Sequence, residues 1–256
     1  LSAARVFGHS AVRLTVVDRT NHHVFQPLLY QAATATLAPT DITAPIRWLL
    51  RKQTNTEVLM AEVERIDVER RVVIADGGAL TLAYDYLILA AGARHSYFGH
   101  PDWEAVAPGL KSIEDAIRIR QRVLLAFERA EKTNDAAERR RLLTFVIIGG
   151  GPTGVEMAGM LPTIARHSLP ADFRRIDTRQ ARVILVEGGS RILPAYPEDL
   201  SQAARRQLEQ LGVDVRTDTR VTHVARAVVN AGDERLEAAT IVWAAGNEAS
   251  PLGRSL

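Results

Sequence analysis

The stretch 142-LLTFVIIGGGPTGVEMAGMLPTIARHSLPADFRRIDTRQARVILVE-187 decides the fold. A nearly unbroken apolar run, Leu142 to Ile148, leads into Gly149, Gly150, Gly151, Pro152, Thr153 and Gly154. A helix rich in small residues follows, and a second apolar strand, Val183 to Val186, ends on Glu187. Each glycine of G-x-G-x-x-G has its own job. Gly149 permits the tight strand-to-helix turn, and Gly151 has no side chain to hold a pyrophosphate away from the backbone N–H groups at the helix start. Gly154 lets helix and sheet pack closely. Glu187 stands where a carboxylate accepts hydrogen bonds from the adenosine ribose. A glycine run alone is as readily an ordinary loop. Strand, loop, helix, strand and acid in that order make a dinucleotide-binding unit. The acid arrives later than the usual spacing, and the polar excursion Arg166 to Gln180 accounts for the delay. Pro162 lacks the N–H that would bond Ala158, so a kink or an end of the helix is expected there.

Composition narrows the class. The 256 residues suit one large domain or two modest ones, and 46% hydrophobic content is enough for proper cores. Thirty-two basic against 30 acidic residues leave a net charge of +2, so no global field points to nucleic acid. With no cysteine there is no disulfide framework, thiolate metal site or redox cysteine pair. No apolar run approaches the length of a bilayer span, and no stretch reads as a signal peptide.

Along the chain, Leu1 to Arg5 reads as a helix tail and Gly8 to Ser10 as a turn. Val12 to Val17 reads as a buried strand ending on Asp18. Arg19 to Gln31 has no clean period and is expected to be irregular. Its neighbouring His22 and His23 point in different directions and lack a ligand cluster, so they are read as loop residues and not as a metal site. Asp41 is expected to cap a short helix through Lys52, with Pro45 in its first turn. Glu57 to Gly92 reads as β throughout, its last strand being YDYLILAAG. Ser112 and Asp115 form a capping box for a long helix whose core stripe is Ile113, Ala116, Ile117, Val123, Leu124 and Phe127. Asn134 to Arg141 is a charged helical connection. Pro197 to Leu211 is the next helix, and Val213 to Gly246 is again short strands.

The two β regions are copies of one pattern. Leu14 to Asp18 corresponds to Ile184 to Glu187. EVLMAEVERIDVERRVVIADG (57–77) corresponds to VDVRTDTRVTHVARAVVNAGD (213–233), and YDYLILAAGAR (84–94) to ATIVWAAGNEA (239–249). Gly92 and Gly246 are therefore expected where backbone must approach a neighbour or ligand closely. Counting back from Asp18, Leu1 falls inside the first helix of the first copy. The expectation is a fragment that lacks the opening strand and glycine loop of that copy. Two dinucleotide folds in one chain imply two dinucleotides and an electron pair passing between them.

VVDRTNHHVFQPLLYQ, YDYLILAAGARHSYFG, GLKSIEDAIRIR, FVIIGGGPTGVEMAG and VEGGSRILP together resemble type II NADH dehydrogenases, over essentially the whole chain. The resemblance implies an α/β fold of tandem Rossmann-like domains with small β-meanders, as in pyridine nucleotide-disulfide reductases. It implies a partial FAD-binding domain over 1–111 and an NADH-binding domain over 112–256, where the chain would return to the first. It implies FAD and NADH as cofactors and a quinone, ubiquinone or menaquinone, as acceptor. The full enzyme would be a non-proton-pumping, peripheral respiratory enzyme on the cytoplasmic face of the membrane, held there by a C-terminal region absent here and able to form a homodimer. Carried over residue by residue, Asp18 with Arg19 matches the FAD ribose site, Val63 a backbone contact to adenine, and Ala91 with Gly92 the strand end near the flavin nucleotide. Gly149, Gly151, Pro152, Thr153, Gly154, Glu187 and Gly188 match the NADH pyrophosphate and ribose sites. Ala245 and Gly246 are the matching strand end in the second copy. Glu156 matches the helix carboxylate near nicotinamide and flavin, the one candidate catalytic residue. Disulfide and sulfide reductases need cysteines beside the flavin, which this chain lacks. A reductase of a small redox protein, and an NADH-binding module without activity of its own, are the alternatives.

Overall fold

The computed structural model describes every residue from Leu1 to Leu256. In chain order the elements begin α1 (Ser2–Val6), β1 (Leu14–Asp18), β2 (His22–Val24), α2 (Leu29–Ala33), β3 (Thr43–Pro45), α3 (Ile46–Leu50) and β4 (Thr56–Met60). Then come β5 (Val63–Asp67), β6 (Val72–Ala75), β7 (Leu80–Ala83), β8 (Ala93–His95), α4 (Trp103–Val106), α5 (Ile113–Lys132) and α6 (Ala136–Leu142). The glycine-loop region follows as β9 (Thr144–Ile148), α7 (Pro152–Thr163), β10 (Arg182–Val186), α8 (Glu198–Gln210) and β11 (Val213–Arg216). The chain closes with β12 (Val221–Ala225), β13 (Val228–Ala231), β14 (Glu234–Glu237), β15 (Thr240–Trp243) and β16 (Asn247–Ala249). Two compact units divide these residues. Unit 1 holds 1–25, 42–94 and 248–256; unit 2 holds 26–41 and 95–247. A short early segment, 26–41, belongs with unit 2, and the chain's last residues, 248–256, with unit 1.

Unit 2 is built on a four-stranded parallel sheet in the order β11-β10-β9-β15. Every residue of β9 and β15 is buried, which is why both read as apolar runs broken only by their leading threonines, Thr144 and Thr240. Phe145, Val146, Ile147, Ile184, Leu185, Ile241 and Val242 are each at most 1% exposed. At the sheet end Trp243 stacks on Tyr97 with centroids 5.1 Å apart, and its Nε1 donates to the Ser96 carbonyl over 2.9 Å. The capping box of α5 is present: Asp115 N donates to Ser112 Oγ over 3.1 Å and Ser112 N to Asp115 Oδ2 over 3.0 Å. The buried stripe of α5 runs through Ile119, not Ile117, which is 38% exposed. A three-stranded antiparallel meander, β12-β13-β14, completes the unit.

Unit 1 repeats part of this plan. Its parallel pair β1-β4 corresponds to β10-β11, and its meander β5-β6-β7 to β12-β13-β14. The likeness extends to the irregularity. β5 on β6 carries a register break between Val63 and Arg65, and β12 on β13 carries one between Val221 and His223. The ungapped repeat, which pairs Val63 with Thr219, is thereby corrected: Val63 is equivalent to Val221. The link from β4 to β5 is two residues (61–62) against four (217–220), and the following turn is four residues (68–71) against two (226–227). Paired length changes of this kind cancel in sequence.

Several local expectations are also corrected. The segment YDYLILAAG forms no strand; Tyr86 is 95% exposed and Ile88 64%. Arg19 to Gln31 is not irregular throughout, because β2 pairs antiparallel with β3 and α2 begins at Leu29. His22 and His23 alternate between half-buried and exposed along β2, as strand geometry requires. Asp41 caps backwards: its Oδ2 accepts from Ala38 N over 3.0 Å, and α3 begins after Pro45. The expected strand at Leu142 starts at Thr144, since Leu142 closes α6. Pro162 does not end α7. The helix runs on to Thr163 and only then widens into a π-turn, Ile164–Ser168, closed by Leu169 N to Ile164 O at 3.0 Å. Thr163 Oγ1 donates to the Gly159 carbonyl over 2.9 Å, supplying a bond in the turn that Pro162 disturbs.

Candidate functional site

The candidate residues of unit 2 gather at the carboxyl ends of β9, β10 and β15, where open α/β sheets bind ligands. Gly149 has φ +111, and a Cβ there would lie 2.6 Å from the Ala244 carbonyl carbon and 2.6 Å from Ala245 N. The backbone that follows β15, at Ala244 and Ala245, is thus packed on the glycine loop and leaves no room for a side chain at Gly149. A Cβ on Gly154 would collide with the Gly149 carbonyl. By contrast, no atom lies within 4 Å of a Cβ position on Gly151 or on Gly188. The loop is therefore crowded where it turns and open where an anion would approach. α7 starts here with Pro152 as its first residue and Gly151 as its cap. The first-turn N–H groups of Thr153 and Gly154 are among those a helix start leaves without an intrahelical acceptor.

Glu187 links the second strand to the loop. Its Oε2 accepts from Gly150 N over 2.6 Å and its Oε1 from Gly189 N over 2.7 Å. Each oxygen keeps a lone pair for a hydroxyl donor, and the carboxylate is held at the loop by two backbone groups. Beyond it, Ser190, Arg191, Ile192, Glu198, Ser201, Gln202 and Arg205 line a cavity of about 220 Å³. Arg191 is tied back, its guanidinium donating to the Pro194 carbonyl over 3.0 Å.

Glu156 lies one turn further along α7. It lines a smaller pocket of about 60 Å³ with Gln26, Leu29, Tyr30, Leu110, Lys111 and Thr153. Its carboxyl makes no hydrogen bond or ion pair, and desolvation by the pocket wall raises its pKa above the ordinary value. Glu156 is therefore not a capping carboxylate: α7 has no side-chain cap bond. Lys111, Gln26 and Tyr30 share this pocket and were not among the residues expected from sequence. Neither GLKS, immediately before the capping box, nor QPLLYQ, which runs into the short helix α2 that packs on both α5 and α7, carries a motif that marks them.

In unit 1, Asp18 ends β1 as expected. Its Oδ1 accepts from Thr20 N and Thr20 Oγ1, each at 2.8 Å, while Arg19 is exposed. Val63 opens β5 close by, since Ala61 N donates to the Asp18 carbonyl over 3.0 Å. Ala91 and Gly92 lie in the exposed strandless stretch. At Gly92 a neighbouring backbone does approach, Ser250 N donating to its carbonyl over 3.3 Å, but the Cβ side is open, with no atom within 4 Å, so only its φ of +68 calls for glycine. Gly246 does show the approach: a Cβ there would lie 2.6 Å from Phe98 Cζ and 2.9 Å from the Ser96 carbonyl oxygen.

Residues 1–255 match the family profile described as pyridine nucleotide-disulphide oxidoreductase. The chain belongs to this family. Pyridine nucleotide-disulphide oxidoreductases are flavin-dependent, and the tandem dinucleotide-binding fold expected from the repeat is theirs. The chain is 44% identical over 263 residues to the type II NADH:quinone oxidoreductase Ndh of Mycobacterium tuberculosis, covering 100% of this chain and 57% of that protein. It is 33% identical to an external alternative NADH-ubiquinone oxidoreductase of Yarrowia lipolytica, covering 96% of this chain and 46% of that one. The chain thus spans about half the length of the curated relatives it matches. Among solved structures, NDH2 of Plasmodium falciparum in complex with NADH superposes with a TM-score of 0.86 at 24% identity, over 95% of this chain and 52% of that one. At that identity the likeness concerns the fold.

Proposed function

We propose that unit 2 binds NADH, and that the chain is the nucleotide-handling part of an NADH:quinone oxidoreductase. The observation that carries the reading is the glycine loop, closed at Gly149 and Gly154, open at Gly151, with Glu187 pinned beside it. The pyrophosphate would take the open side of the loop and the N–H groups of Thr153 and Gly154. The adenosine ribose hydroxyls would donate to Glu187, with Gly188 leaving room, and the Ala245–Gly246 strand end would flank the loop. Glu156, in its own pocket further along α7, would face the nicotinamide end. The 44% identity to a type II NADH:quinone oxidoreductase supports the same assignment.

For flavin the fit is partial. Asp18 with Arg19 would take the FAD ribose and Val63 the adenine side, with Ala91 and Gly92 toward the flavin nucleotide, but unit 1 holds no glycine loop to cradle a pyrophosphate. When bound, flavin supplies the hydride-accepting chemistry. This chain's share is to bind and orient the nucleotide and to keep Glu156 poised in a partly desolvated pocket. A membrane quinone as final acceptor, peripheral attachment at the cytoplasmic face and a homodimer complete the proposal for the full-length enzyme.

The test is nucleotide choice. Glu187 would meet a 2′-phosphate with like charge, and Arg191 is already engaged with Pro194. Titration calorimetry on the folded chain is expected to show NADH binding at least about ten-fold tighter than NADPH, a difference of ~1.4 kcal/mol. Equal affinities would refute the placement of Glu187.

A further inference from the structure

We propose that Lys111 is the cationic half of a carboxamide clamp: its ammonium donates to the amide oxygen of a nicotinamide while the Glu156 carboxylate accepts from the amide N–H. The proposal rests on the reading that unit 2 holds NADH. It adds the donor that holds the amide oxygen, while Glu156 is the residue that distinguishes the amide from a carboxylate on the ring.

Four observations support it. Lys111 and Glu156 line the same pocket, and no other charged side chain does. Neither side chain has a hydrogen bond or ion pair in the chain, so a donor-only group and an acceptor-only group share one small space with nothing of their own to bind. The pocket, about 60 Å³, has room for a few waters or one amide group but not for a whole nucleotide. Thr153 belongs both to this pocket and to the glycine loop, so a ligand whose phosphates sit on the loop has its far end directed here.

The root of Lys111 is fixed. Asp115 Oδ2 accepts from Lys111 N and from Ser112 N, each over 3.0 Å. The same oxygen lies 3.5 Å from His95 Nε2, a buried nitrogen with no hydrogen-bond partner. Gly109 is pressed against the His95 ring so closely that a Cβ there would overlap it. The backbone that carries Lys111 is thus held by the start of α5 from one side and by an imidazole from the other. Its flexible side chain needs only to extend from a fixed point. An amide presents one acceptor and one donor pair, matching this lysine and this glutamate. A carboxylate in its place would meet Glu156 with like charge.

The experiment is calorimetric binding of three probes to the 256-residue chain: NAD⁺, nicotinic acid adenine dinucleotide, and ADP-ribose. The wild type is expected to bind NAD⁺ about ten-fold or more tighter than the nicotinic acid form. Lys111→Met is expected to weaken NAD⁺ by about ten-fold and leave ADP-ribose within about two-fold, because only the amide contact is lost. Lys111→Arg, which keeps the charge and the backbone N–H, is expected to retain most of the preference for the amide, and thermal melts of both variants confirm folding. An unchanged NAD⁺ affinity in Lys111→Met, or an equal loss for NAD⁺ and ADP-ribose, overturns the clamp while leaving the nucleotide site standing. A wild type that binds neither NAD⁺ nor ADP-ribose overturns the site and the clamp together.

Discussion

Two stretches of this chain carry the same pattern and adopt different structures. Tyr86 to Gly92 reads YLILAAG and Thr240 to Gly246 reads TIVWAAG. The second contains β15, in which Ile241, Val242 and Trp243 are each at most 2% exposed. Its pairing on β9 runs Thr240 to Phe145, Ile241 to Val146, Val242 to Ile147 and Trp243 to Ile148. The first stretch has no strand partner, and Tyr86, Ile88 and Leu89 are exposed. An apolar run becomes a strand only when another backbone accepts and donates along its length. β15 has β9 for this purpose, and within these residues unit 1 contains no counterpart of β9. Local propensity is the same in both copies; the neighbour decides.

The sharpest way to break this comparison is to place one polar side chain at equivalent positions. Val242→Asn buries an amide inside the parallel sheet and is expected to cost roughly 3–5 kcal/mol, or to prevent folding. Ile88→Asn, at the matching position, is expected to change stability by less than about 0.5 kcal/mol, since that side chain is 64% exposed. Urea unfolding of both variants reads the difference. Similar losses would mean that Tyr86 to Gly92 is ordered as a buried strand.

A second pair of substitutions separates backbone conformation from crowding. Gly246 and Gly92 both have positive φ, +79 and +68. Only Gly246 is also hemmed in, by Phe98 and the Ser96 carbonyl. Gly246→Ala is expected to cost about 2–3 kcal/mol and Gly92→Ala about 1 kcal/mol, the latter being the left-handed penalty alone. Equal costs, measured by thermal unfolding, would remove crowding from the account.

These pairs also show what was legible in sequence. The glycine loop, β9, β10, β15 and the capping box were readable because their signals are local and their partners lie in the same copy. Glu187 was readable as a site residue because it ends a strand beside the loop, though its bonds to Gly150 and Gly189 were not. The strandless fate of Tyr86 to Gly92 was not readable, because its pattern is that of a strand and only a missing neighbour overrules it. Paired length changes around β5 and β12 hid the true repeat register. Lys111 was invisible as a site residue, since nothing in GLKS says that this turn shares a pocket with the distant helix α7.

A smaller effect is expected next to β15 itself. Trp243 N donates to the Pro108 carbonyl over 3.0 Å, and the segment that follows Pro108 ends in the cap made by Asp115. Burial opposes ionisation of Asp115. The neighbouring His95 imidazole and the backbone N–H groups of Lys111 and Ser112 outweigh it and hold the carboxyl below its ordinary 3.8. A carboxyl depressed on folding stabilises the protein above its unfolded pKa, and that contribution is lost as pH falls through the folded value. Asp115→Ala is expected to cost about 1 kcal/mol at neutral pH, with the gap to wild type closing as pH drops below 3.8. A gap independent of pH would show that the carboxylate charge contributes nothing to the cap.

The most direct test of the central claim compares the two copies as nucleotide sites. Equilibrium titration of the purified 256-residue chain with NADH and, separately, with FAD measures each. One NADH per chain is expected, held by the loop and Glu187, with FAD binding about a hundred-fold weaker or more, because unit 1 offers Asp18 and Val63 but no cradle for a pyrophosphate. Stoichiometric FAD with no NADH bound would contradict it.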